Sequence, residues 1–182
     1  MNLKEFINYT INEYLNNVED TSNQVYKNIK TINSNDKDVL LNDAVNWCLN
    51  LIKFKLGILP KFNIKWGDSS YTFDDSITIK FKNPYHFKYP ETFYDTVCHE
   101  FCHVIDNVYG STSNKFGENI MRPISDSKEW KIISLSTAPT SYAKDSNDED
   151  FAISLQYVLY DKLNELSEDR IQFFRNKFPK LK

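Results

Sequence analysis

The run Val97-Cys98-His99-Glu100-Phe101-Cys102-His103-Val104-Ile105-Asp106 constrains this chain more than any other stretch. It contains His-Glu-x-x-His, a spacing that acquires mechanical meaning on a helix. With 3.6 residues per turn, positions four apart lie one above the other on one face. His99 and His103 can therefore aim two imidazole nitrogens at one ion, while Glu100 projects beside them toward a water on that ion. Val97, Phe101, Val104 and Ile105 take the intervening positions and can bury the rest of the helix. The bland alternative is two histidines that share a helix face by coincidence. The chain has only 3 histidines, and two of them fall at this spacing with a glutamate directly after the first, so metal binding is the favoured reading. The chemistry it points to is that of a zinc peptidase.

Such a site needs a third protein ligand, with the fourth position left to water. No histidine follows His103, so the ligand is an acid, a cysteine or His86. Asp106 is the nearest acid, but it lies about 10.5 Å along the helix axis from His99. Both cannot bond one ion at about 2 Å, so Asp106 reads as a supporting or structural residue. Cys98 and Cys102 would have to join His99 and His103 from a single turn, and a helix cannot wrap four ligands around one ion. His86 sits in an aromatic stretch bounded by Pro84 and Pro90, where a lone histidine is more often packed than ligating. Among the distal acids, Asp148, Glu149 and Asp150 compete, in a segment that starts as loop at Tyr142 and runs into a helix. An acidic first turn is also ordinary compensation of the helix dipole, and spacing alone does not choose among the three.

A chain of 182 residues fits one domain spanning 1–182 and is long enough to bury a real core. The balance of 22 basic against 25 acidic residues gives a net charge of -3, which argues against nucleic acid or an anionic membrane as partner. The N-terminal stretch carries Lys4, Glu5, Asn8, Asn12 and Glu13 among its apolar residues, so it is no signal-peptide core. No apolar run reaches membrane-spanning length. Cys48, Cys98 and Cys102 are an odd count, read as free thiols of a reducing compartment. The chain as it stands therefore reads as cytoplasmic, the alternative being a secreted protein whose signal has been removed. Oligomeric state stays open.

Apolar periodicity predicts amphipathic helices over 3–18, over a shorter stretch through Val25, Ile29 and Ile32, and from Asp36 or Asp38 to a stop at Gly57 and Pro60. These stripes are core positions. Phe62, Ile64 and Trp66 alternate, and so do Ile77, Ile79 and Phe81, which predicts two strands separated by the Gly67–Ser70 break and a polar turn at Asp74-Asp75. Residues 83–90 read as loop, and the motif helix runs from Glu91 or Thr92 to about Tyr109, stopped by Gly110. Ser111–Asn119 reads as polar loop. Asp126-Ser127 caps a short helix, Ser136–Asp148 is a second loop, Glu149–Leu163 is helical, and Ser167 opens a last helix that Pro179 ends. Repeats and linkers are absent.

Two separated motifs together carry a resemblance. His99-Glu100-Phe101-Cys102-His103-Val104-Ile105-Asp106, followed by Tyr142-x6-Glu149-Asp150-Phe151-Ala152, resembles the catalytic domain of anthrax lethal factor and the related Pro-Pro endopeptidases, over roughly residues 75–160. In that family an Asp follows the second His by three residues, and a Tyr precedes the ligand Glu by seven; Asp106 and the Tyr142–Glu149 spacing match. The resemblance implies an α+β, zincin-like metalloprotease domain of the gluzincin type. It would comprise N-terminal helices, a small twisted sheet with an edge strand, an active-site helix and C-terminal helices. It implies Zn2+ held by His99, His103 and Glu149, Glu100 as general base, and Tyr142 as donor to the oxyanion. It also implies that Ser76–Phe81 is the edge strand along which an extended peptide or protein substrate pairs. The chain departs from the family pattern at Asp150, where a Phe is usual, and at Ile153, where an acid is usual. The function expected is a zinc-dependent metalloendopeptidase. The rival is a catalytically degenerate, zinc-binding module that acts as a toxin-like or effector binding protein; retention of Glu100 favours the enzyme.

Overall fold

The computed structural model describes residues 36–110 and 122–181. The helices expected over 3–18 and around Val25–Ile32, and the loop expected at 111–119, lie outside the described residues. Helix α1, Lys37–Leu56, starts where the Asp36 side chain accepts from Asp38 N–H. It ends at Gly57, whose φ of 74° suits a residue without Cβ. Its buried residues, Leu40, Leu41, Ala44, Cys48, Leu51, Ile52 and Leu56, follow the helical period that the sequence displays.

Three strands follow: β1, Asn63–Gly67; β2, Tyr71–Phe73; and β3, Ser76–Lys80. Their spatial order is β1-β3-β2, with β3 parallel to β1 and antiparallel to β2. This corrects two expectations. There is a strand at Tyr71–Phe73 that the sequence does not announce, because three residues between two polar breaks are too short to show alternation. The strand beginning at Ser76 is central, with a partner on each side, so it cannot be the edge strand. Ile77, Thr78 and Ile79 are buried in succession, as expected of a strand covered on both faces. The chain leaves β1 at Gly67, passes the end of β3 and returns as β2. A Cβ at Gly67 would lie 2.3 Å from the Thr78 methyl, so only glycine fits there.

Residues Tyr85–Lys88 form a short helix, α2, inside the stretch expected to be loop. His86 is buried in it, accepts from Lys82 N–H at 3.2 Å through Nδ1, and packs against Phe81 and Phe93. Its role is packing. The motif helix α3, Pro90–Val108, begins with a proline in the first turn, where a missing N–H costs nothing. It packs on α1, on the sheet and on the later helix α5, Asn147–Leu159, so buried residues occur on most of its circumference. Between them comes α4, Lys128–Ile133, capped by Ser127 Oγ as expected, and α6, Glu168–Lys177, closes the described chain. Trp130 of α4 packs on Phe151, Phe173 and Phe174 at 5.0–5.4 Å between ring centroids. Each such fully buried ring contributes roughly 1.5–3 kcal/mol. The architecture is mixed α+β, and no helix among the described residues is long and apolar enough to cross a membrane.

Gly67→Ala is expected to destabilise the fold by about 1–3 kcal/mol. Adding Thr78→Ser, which removes the obstructing methyl, is expected to recover most of that loss in urea unfolding. No recovery would mean that Gly67 is needed for another reason.

Candidate metal centre

His99 and His103 sit one turn apart on α3, and their Nε2 atoms are 3.2 Å apart. The third member comes from the first turn of α5. Ser146 caps that helix by accepting from Glu149 N–H, so Ser146-x-x-Glu149 has the form of a capping box. The Glu149 carboxylate points instead at the histidines. Its Oε2 lies 3.1 Å from His99 Nε2 and 3.5 Å from His103 Nε2. Among the described residues, this is the only trio of His, Cys, Asp and Glu whose ligating atoms gather in this way, and it could hold a metal ion.

The spacing itself is informative. Ligands bound tetrahedrally at about 2.0–2.1 Å from an ion stand about 3.3 Å from one another. The three pairs here, at 3.1, 3.2 and 3.5 Å, bracket that edge length. Glu149 Oε2 is buried and has no hydrogen-bond partner. An unmatched buried carboxylate oxygen is costly, and a cation facing it would offset that cost. The residues therefore fit a divalent ion with a taste for nitrogen and oxygen.

The surrounding groups divide into those that join the centre and those that do not. Glu100 is 5% exposed, and the Thr72 hydroxyl lies 2.8 Å from its Oε2 and 3.1 Å from its main-chain oxygen. Burial pushes the Glu100 carboxyl up, and the Thr72 hydrogen bond and the two histidines only partly oppose it. Burial also pushes Glu149 up, but contacts with His103, His99 and Tyr142 outweigh it and hold that carboxyl well below the usual range. Tyr142, in a single 3-10 turn over Tyr142–Lys144, donates to Glu149 Oε1 at 2.9 Å. Desolvation and the neighbouring Glu149 carboxylate push its phenol up to about 12, so it remains a donor at neutral pH.

Asp106 is not a member of the trio. It accepts from Ser125 N–H at 2.7 Å and from Ser125 Oγ at 2.6 Å, and burial still pushes its carboxyl up to about 6. Asp150 is buried against Arg170, and Asp148 is exposed. Cys48, Cys98 and Cys102 are free, buried thiols outside the trio. Sequence reasoning missed Thr72, because β2 was not visible, and it missed Arg170, whose partner Asp150 is the position where the family pattern has a Phe. An acid at the position where that pattern has a Phe was the available signal. Comparison with protein-family models, with curated proteins and with solved structures yields no match.

Glu149→Ala is expected to weaken zinc binding by at least about a hundredfold, while Asp148→Ala changes it little. Titration against a competing chelator reads both. Equal losses would dissolve the distinction between the two acids.

Proposed function

We propose that the chain is a zinc-dependent metalloendopeptidase with a zincin-like fold, its metal held by His99, His103 and Glu149. The observation that carries this reading is the convergence of those three side chains at tetrahedral-edge distances, with Glu100 next to them on the motif helix. Zinc bound there would polarise the scissile carbonyl and acidify a water.

The chain's own groups account for the remaining chemistry. Glu100, whose carboxyl is raised above its ordinary range by burial, accepts a proton from water as the water oxygen bonds to the carbonyl carbon. It hands that proton to the amine nitrogen as the carbon–nitrogen bond breaks. Thr72 keeps the carboxylate aimed while this happens. The Tyr142 hydroxyl stays protonated at neutral pH and turns from Glu149 Oε1 toward the carbonyl oxygen as negative charge develops there. An extended peptide pairs along β2, which has β3 on one side and no strand partner on the other among the described residues. That assignment replaces the one made for the strand at Ser76.

The degenerate-module reading shares the metal site and differs at Glu100. A carboxylate kept buried beside the trio, with its own hydrogen-bond donor, supports the enzyme. Glu100→Ala is expected to retain one zinc per chain and to cut peptide cleavage by about 10²–10⁴. Undiminished cleavage would sink the mechanism, and absence of cleavage in the wild type with zinc bound would favour the binding module. Tyr142→Phe is expected to slow turnover by about 10²–10³ with the metal retained; an unchanged rate would leave Tyr142 a packing role.

A further inference from the structure

Asp150 and Arg170 connect three segments around the proposed centre, and both are closed off from solvent, at 2% and 0% exposure. Arg170 Nη2 donates to both oxygens of Asp150, at 3.0 and 2.7 Å. Nη1 donates to Ser136 Oγ and to the Thr137 main-chain oxygen, the latter at 3.1 Å. The guanidinium carbon stands 5.8 Å from the centroid of the Trp130 ring. Asp150 directly follows Glu149 in α5, and Ser136 and Thr137 open the connection that leads to Tyr142. One side chain of α6 therefore ties the residue that follows Glu149 to the start of the connection that leads to Tyr142.

A fully buried ion pair is a poor source of stability, because desolvation offsets much of the attraction. Arg170 Nε is also left without a hydrogen-bond partner, so the pair is not arranged for maximal bonding. Its geometric effect is more specific. Between α4 and α5 the chain forms only the 3-10 turn at Tyr142–Lys144; Trp130 Nε1 and Ser134 Oγ donate to Asn147 at the start of α5, and the Tyr142 hydroxyl donates to Glu149. Those bonds hold the later part of the connection; Arg170 ties its opening residues, Ser136 and Thr137, to the residue beside Glu149.

We infer that Asp150 and Arg170 are a positioning pair that sets Tyr142 against Glu149. The inference rests on the metallopeptidase reading for its consequence in turnover, but not for its consequence in loop order. The test is the double variant Asp150→Leu with Arg170→Met, which removes both charges together and leaves no lone charge buried. Thermal melting, hydrogen exchange of the 134–146 amides, and peptide cleavage with and without Tyr142→Phe are measured on the full chain. The expected result is a retained melting transition, faster exchange in 134–146 with α3 still protected, and cleavage at least about tenfold slower. Tyr142→Phe is expected to add nothing in that background. Unchanged exchange in 134–146, or Tyr142→Phe slowing both backgrounds by the same factor, would overturn the pairing. Should the double variant fail to fold, Arg170→Lys, which keeps the charge and loses the fork, is read by the same criteria. A wild type that binds zinc and never cleaves would overturn the peptidase reading, and the exchange result alone then decides the positioning pair.

Discussion

The site depends on the docking of α5 against α3 in one register. Phe151, Ala152, Leu155 and Leu159 of α5 share a core with Val97, Phe101 and Val104 of α3. Apolar packing alone tolerates sliding, and two hydrogen bonds remove that freedom. Gln156 Nε2 donates to the Asp95 main-chain oxygen at 3.1 Å, and the Tyr160 hydroxyl donates to Asp95 Oδ1 at 2.9 Å. These bonds fix the far end of α5, and the Ser146 cap fixes where it begins. A slip of one helical turn, about 5.4 Å, would carry Glu149 out of reach of both imidazoles.

The two glutamates of the site differ because of that docking. Glu100 is on the buried helix, with one hydroxyl donor, and burial raises its carboxyl. Glu149 sits at a helix start, beside two imidazoles and a phenol, and these lower its carboxyl. Environments that push two carboxyls apart divide the labour between them, one suited to moving a proton and the other to remaining an anion. In the proposed function the same side-chain chemistry would serve a base at one position and a ligand at the other.

Much of this was legible before any coordinates. Asp36 and Gly57 mark the ends of α1 because cap chemistry is local, and His99, Glu100 and His103 share a face because helical spacing is local. Helix rise alone set Asp106 aside, and its pairing with Ser125 agrees with that. The choice of Glu149 over Asp148 and Asp150 was not a local property. It needed the angle at which α5 crosses α3, and in the sequence only the family-like Tyr142–Glu149 spacing pointed to it. The sheet misled for a related reason: alternation reveals that a strand exists but not its neighbours, and β2 is too short to reveal even that. The edge therefore passed from the strand at Ser76 to Tyr71–Phe73, and Thr72 came into the site with it.

The central claim is that one metal ion is held by two imidazoles and one carboxylate where α3 meets α5. X-ray absorption of the zinc-loaded protein tests it most directly, because it separates nitrogen and oxygen donors from the thiols of Cys48, Cys98 and Cys102. The account expects one zinc per chain with nitrogen and oxygen neighbours at about 2.0–2.1 Å, an imidazole signature from two histidines, and loss of that signal in the His99→Ala variant. A shell of sulfur at about 2.3 Å, or a protein that binds no zinc, would contradict it.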